Sequence, residues 1–246
     1  SDPSRFIGLA KIPVSGIDAA LAELRFVTET LKMPGIVLDR WPNGREGSAR
    51  ESVAFWEAAE AYAVPISVYC SLTGGDDPVE LVGGGRTPEL GNELPSIIYA
   101  NICDRFPNLK FVVADPSPGW APFVFEGLNE SYQRTIGSRQ VNLGDPEAMP
   151  ADYMRAFFWY TIQDDRFCVL NRHYFGPAHL MWGSFTATLH SQWPNSPQQF
   201  GRLTSGLPAE SIAALVSGVV KNLYGLEGAS SFSQEEIRDF KSYAVI

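Results

Sequence analysis

The feature that most restricts what this chain can become is the alternation of short, wholly apolar runs with longer segments of helical period. The runs "GIVLD" (35–39), "PISVYC" (65–70) and "LKFVVAD" (109–115) show no polar alternation, as expected of strands buried on both faces. Around them, "IDAALAELRFVTETLK" (17–32), "ARESVAFWEAAEAYA" (49–63), a segment from about 94 to 106, and "WAPFVFEGLNESYQRTIG" (120–137) have helical spacing. "RFIGLAKIPV" (5–14) predicts a strand at the start of the series, and "FFWYTI" (157–162) and "HLMWGS" (179–184) predict two at its end. "DDRFCVLNRHYF" (164–175) reads as a short helix and "AESIAALVSGVVKNLYG" (209–225) as a long closing one. Six strand–helix units in series predict an α/β fold with a parallel sheet covered on both faces.

Composition narrows the function classes. With 246 residues, 45% of them apolar, the chain fits one globular domain with a sizeable core. A net charge of −9 and no basic cluster argue against nucleic acid as a partner. No apolar run approaches the roughly 20 residues that span a bilayer, so no membrane partner is expected. The N-terminus "SDPSRFIGLA" lacks the basic and apolar regions of a secretory signal. Cys70, Cys103 and Cys168 are odd in number and each sits in an apolar run, which fits reduced thiols and a cytoplasmic location. No Gly-x-Gly-x-x-Gly or phosphate-loop pattern follows any strand.

The stretch "HLMWGSFTATLHSQWP" (179–194) is the most informative about chemistry. A buried strand reaches Gly183-Ser184, where α/β barrels place reactive side chains, and the next residue is Phe185, which neither ligates a metal nor moves a proton.

Several segments together resemble the amidohydrolase-2 family, whose members include relatives of aminocarboxymuconate-semialdehyde decarboxylase. They are residues 5–26, "FWEAAEAYAVPISVY" (55–69), "CDRFPNLKFVVADPSPGWAPFVFE" (103–126), "HLMWGSFTATLHSQWPNS" (179–196) and "VVKNLYGL" (219–226). The resemblance implies a (β/α)8 barrel of the metal-dependent hydrolase superfamily over a single domain, 1–246, with the site at the carboxyl ends of the strands. It also implies two earlier strands, the first bearing a His-x-His metal motif, which this sequence does not contain. A homo-oligomer, a partner chain or a longer precursor is expected to complete the barrel, a divergent open-barrel domain being the remaining alternative.

Carried over position by position, the resemblance implies a degenerate metal site. A family histidine is replaced by Tyr69, the aspartate that ligates and acts as base by Phe185, and a later histidine by Thr188. Asp115 is the one retained ligand position. The expectation is therefore that no cofactor is needed, the alternative being a divalent Zn, Mn or Fe ion as in the family. Asp115, His190 and Tyr69 are the catalytic candidates. An imidazole titrates near neutrality, and a phenol can donate a hydrogen bond to an oxyanion. Trp41, Trp120, Trp182, Phe185 and Thr188 are candidates to line a pocket for a small-molecule substrate. His173, His179 and Cys70 read as structural or solvated. Two functions remain open: a hydrolase or carbon–carbon lyase, including decarboxylase, acting on a small carboxylated or acyl substrate, or a non-catalytic barrel subunit that completes or stabilises a partner.

Overall fold

The computed structural model describes residues 6–44, 49–69, 87–114, 117–135, 143–176, 178–186 and 191–226, with the side chains of 49, 69 and 87–92 outside that description. Six strands occur among these residues: β1 (Ala10–Lys11), β2 (Ile36–Leu38), β3 (Ile66–Tyr69), β4 (Phe111–Ala114), β5 (Phe158–Ile162) and β6 (Leu180–Trp182). They form one sheet in the order β1-β2-β3-β4-β5-β6, which is chain order. The registers resolved for β1 to β4, and for β5 with β6, are parallel. Each expected strand is present, and the fold is the α/β, TIM-type barrel class expected, with six strand–helix units.

Register sorts the strand residues into two faces. Ile36, Ile66 and Phe111 form one row and Leu38, Val68 and Val113 the next. All six are buried, and the Phe111 ring meets Trp56 of helix α2 (Val53–Ala61) edge-on at 5.9 Å, so this face packs against helices. Because side chains alternate along a strand, the opposite face carries Lys11, Val37, Ser67 and Val112 in one row. One step further on, Asp39 falls in line with Tyr69 and Ala114, at the carboxyl ends of β2, β3 and β4.

Two expected boundaries change. The apolar start of the chain predicts a strand over 5–14, yet only Ala10–Lys11 pairs with β2, and Phe6 and Ile7 are 74% and 41% exposed. The expected helix from about 94 begins earlier, as α3 (Thr87–Tyr99), and breaks at Asn101, whose φ of 58° is left-handed. A short turn of helix, α4 (Ile102–Arg105), follows it. After α5 (Ala121–Arg134) the chain forms α6 (Pro150–Phe157), which the apolar period does not announce. Its cues are local: Pro150 opens it, and Asp152 accepts the Met149 N–H at 2.9 Å. Then come α7 (Arg166–Leu170), α8 (Ser196–Leu203), α9 (Ala209–Ala213) and α10 (Val219–Tyr224). The closing helix expected over 209–225 is continuous but carries a π turn over Ala214–Gly218 between α9 and α10.

The chain divides into two compact units. In the first, 1–114 with 123–158, the core is built on Phe55, Trp56, Phe111 and Phe158, the last two stacked at 5.1 Å. In the second, 115–122 with 159–246, Tyr160 meets Phe175 at 5.0 Å and Trp182 meets Phe200 at 5.1 Å, both edge-on. No helix among the described residues is long and apolar enough to cross a membrane.

Candidate active site

In the first unit the carboxyl ends of β1 and β2 bring two charges together. Lys11 Nζ lies 2.5 Å from Asp39 Oδ2. Parallel pairing aligns the two strands, and the alternation described above turns both side chains to the face away from the helices. The pair lies in a cleft of about 540 Å³ lined by Lys11, Ile12, Pro13, Val14, Glu23, Asp39 and Arg40. The loop after β2 is held against the loop after β1 at Gly44, where a Cβ would overlap the Val14 carbonyl. With φ of 72°, position 44 also favours glycine on backbone grounds.

In the second unit the ends of β5 and β6 are tied by backbone and side chain. Gly183 N donates to the Ile162 carbonyl at 2.9 Å, Gln163 Nε2 to the Ser184 carbonyl at 3.0 Å, and Trp182 Nε1 to the Gln163 carbonyl at 3.2 Å. Gln163 is 5% exposed. Beyond this clamp, Phe185 adopts a φ of 49°, a left-handed conformation that is strained for an aromatic residue. Its ring lies over Gly183, where a Cβ would sit 3.3 Å from Phe185 Cε2. The Ser184 and Thr186 hydroxyls share a hydrogen bond of 2.7 Å.

Asp165, at the start of α7, accepts the Cys168 N–H at 2.8 Å and the Gly119 N–H at 2.6 Å, anchoring the 3-10 turn Pro118–Trp120. The indole nitrogen of Trp120 is buried there without a hydrogen-bond partner.

The structure treats the sequence candidates unequally. Phe185 and Trp182 lie at the β6 end, half-buried. Trp120 is half-buried in its turn. Trp41 is 2% exposed and meets Trp56 edge-on at 6.4 Å, which makes it a ring of the first unit's core. Asp115, Thr188, His190 and Cys70 lie outside the described residues, and only the backbone of Tyr69 is described. His179 stacks on Trp159 at 4.4 Å, and His173 is exposed. Cys103 and Cys168 are buried, and burial pushes both thiols well above their ordinary value, so neither is poised as a nucleophile. Lys11, Asp39, Arg40 and Gln163 were not singled out by sequence reasoning. Lys11 and Asp39 lie within runs that read as strand, and only register sets them side by side.

The family model described as Amidohydrolase matches residues 1–199. The chain belongs to the amidohydrolase family. It is 29% identical over 151 residues to the decarboxylase orsB of Emericella nidulans, covering 56% of this chain and 45% of that protein. It is 26% identical over 143 residues to a 2-amino-3-carboxymuconate-6-semialdehyde decarboxylase of Dictyostelium discoideum, covering 53% and 37%. The matches thus span less than half the length of these curated relatives. Among solved structures, a dihydroxybenzoic acid decarboxylase from Polaromonas with bound manganese and 2-nitroresorcinol superposes with a TM-score of 0.75. The identity there is 14%, over 93% of this chain and 71% of that one. A 5-carboxyvanillate decarboxylase from Novosphingobium aromaticivorans, with manganese and a nitrobenzoic acid, also gives 0.75, at 15% identity over 91% and 66%.

These structures correct one expectation. Absence of a cofactor was inferred from the loss of ligand positions at Tyr69 and Phe185, yet the structural neighbours hold manganese, so a divalent metal belongs to the family. Among the described residues, no group of three or more His, Cys, Asp or Glu could hold a metal. These residues alone do not fit the ion, and Asp115, expected from the resemblance to be a ligand, lies outside them.

Proposed function

We propose that this chain is a carbon–carbon lyase that decarboxylates a small carboxylated aromatic acid, within an altered version of the family's metal site. The observation that carries this reading is Phe185, held over Gly183 at the β6 end where the resemblance implies a water-activating aspartate. Hydrolysis needs a base at such a position to generate the nucleophile. Decarboxylation needs no activated water, only a proton donor. A proton adds to the ring carbon that bears the carboxylate, the bond to the carboxylate carbon then breaks, its electron pair returns to the ring, and carbon dioxide leaves. An apolar aromatic wall suits that step, because the carboxylate charge it disfavours is lost as neutral carbon dioxide leaves.

In this reading His190, in its protonated form, is the candidate proton donor. Asp115 orients the acid, and Trp120, Trp182 and Thr188 bound the ring. The catalytic assembly includes additional polypeptide beside β1, a second copy or a further segment, because β1 is an end of the strand order.

The test is incubation of the purified chain, with and without added Mn²⁺, with acids labelled with ¹³C at the carboxyl, alongside ester and amide substrates. Labelled carbon dioxide without ester or amide cleavage supports a lyase. Turnover of the esters or amides alone overturns it. Replacing Asp115 by Asn abolishes the release while leaving the unfolding midpoint nearly unchanged, since the substitution removes a charge and keeps the size of the side chain.

A further inference from the structure

Gln163 is a costly residue to bury. It follows β5 at 5% exposure, and a buried carboxamide gives up water contacts and rotamer freedom for little net stability. What it secures is the direction of one carbonyl. Gln163 Nε2 donates to the Ser184 carbonyl at 3.0 Å. That carbonyl shares a peptide plane with the Phe185 N–H, so fixing its direction constrains the φ rotation of Phe185. The plane is held where φ is 49°, a conformation that residues with a Cβ avoid and that persists only when the surroundings impose it. Across Phe185, the Ser184 and Thr186 hydroxyls close the turn at 2.7 Å. Strand pairing does not depend on this tether. The Gly183 N–H reaches the Ile162 carbonyl and the Trp182 indole reaches the Gln163 carbonyl, and both acceptors are backbone atoms. All of these residues lie in the second unit.

We propose that Gln163 is a positioning residue, whose carboxamide holds Phe185 left-handed and so sets the aromatic wall at the β6 end. The tether rests on the geometry of the second unit alone. Its place in turnover rests on the decarboxylase reading, in which that wall borders the acid. A side chain of equal length without a donor releases the Ser184 carbonyl, and the Phe185 ring leaves Gly183 as its backbone relaxes to a negative φ.

The test puts 4-fluorophenylalanine in place of Phe185 in the full chain and reads its single ¹⁹F resonance. Gln163→Met removes the donor and keeps the length. It moves the resonance, and it lowers kcat/KM for ¹³CO₂ release per folded molecule by about tenfold or more, as misplaced contacts do. Gln163→Glu is the sharper arm. A neutral carboxyl donates its O–H to the Ser184 carbonyl, whereas a carboxylate only accepts. Burial, and the charges of Asp164 and Asp165 next in the chain, raise the pH at which it ionises. The resonance of this variant is therefore wild-type-like at acid pH and moves toward that of Gln163→Met as pH rises. Turnover relative to wild type at the same pH follows it. The wild type, with no ionisable group at 163, lacks this transition. Unfolding curves at each pH confirm that the variants are folded, and Gln163→Glu carries the test if Gln163→Met does not fold. An unmoved resonance in Gln163→Met, a resonance in Gln163→Glu that ignores pH, or unchanged turnover while the resonance moves overturns the assignment. These shifts with no carbon dioxide released by the wild type from any acid keep the tether and sink the lyase reading. Carbon dioxide release with the resonance unmoved in both variants does the reverse.

Discussion

The Tyr153 hydroxyl donates to Asp104 Oδ1 at 2.5 Å, joining α6 to α4 across 49 positions of sequence. The same carboxylate accepts the Gly144 N–H at 3.0 Å and Asn101 Nδ2 at 3.1 Å. Asp104 precedes β4, on the side of the sheet away from the strand ends that carry the candidate site. In barrels of this class that side serves stability. Tyr153→Phe is expected to cost about 1.5–3 kcal/mol in denaturant unfolding, as for a bond to a charged acceptor, with no change in activity per folded molecule.

The same contact predicts a pH dependence. Burial first, and then the bond to Asp104, push the Tyr153 phenol from 10.0 up to about 12. A group whose pKa is raised by folding stabilises fully below its unfolded value and loses that contribution as pH climbs to the folded one. The stability difference between wild type and Tyr153→Phe should therefore be constant below pH 10 and shrink between pH 10 and about 12. Paired unfolding curves across that range check it. A difference that grows there contradicts it.

Phe185 combines backbone strain with a half-buried ring. Glycine tolerates a φ of 49°, so Phe185→Gly relieves about 1 kcal/mol while losing apolar contact of similar size. Its net effect on unfolding should stay within about 1 kcal/mol, while substrate affinity falls several-fold. Phe200→Ala, by contrast, empties a buried position and should cost about 3–5 kcal/mol. Chemical denaturation of the two variants separates these outcomes.

Gly119 sits so close to Asp165 that a Cβ would lie 2.6 Å from Oδ2. Gly119→Ala should displace the turn at Trp120, and Asp165→Ala should leave the Gly119 and Cys168 N–H groups without their acceptor. Each is expected to destabilise by about 1–3 kcal/mol. If thermal scans show both variants unchanged, the anchoring role is wrong.

The strands were legible because residues such as Ile36, Leu38, Ile66 and Val113 are buried on both sides of the sheet, and unbroken apolar runs report that directly. At the chain start the same signal overreached: Phe6 and Ile7 are apolar yet exposed, and apolarity alone does not fix pairing. Helix α6 escaped notice because capping by Asp152 and Pro150 defines it more than period does. At the β6 end, the unreactive side chain of Phe185 could be read from the sequence, but its left-handed backbone could not. Lys11 and Asp39 are 28 positions apart, and their meeting depends on a parallel register that no local pattern encodes. Gln163 was missed for a related reason: its partner is a backbone carbonyl, which carries no residue-type signature.

The central claim is carbon–carbon bond cleavage with replacement of the carboxylate by a proton. It is tested most directly by running the reaction in D₂O on a hydroxybenzoate labelled with ¹³C at the carboxyl, with the product read by NMR. The account predicts that ¹³CO₂ appears in equal amount to a phenol carrying one deuterium at the carbon that held the carboxylate. Recovery of the acid intact, under conditions where the chain is folded and supplied with Mn²⁺, would contradict it.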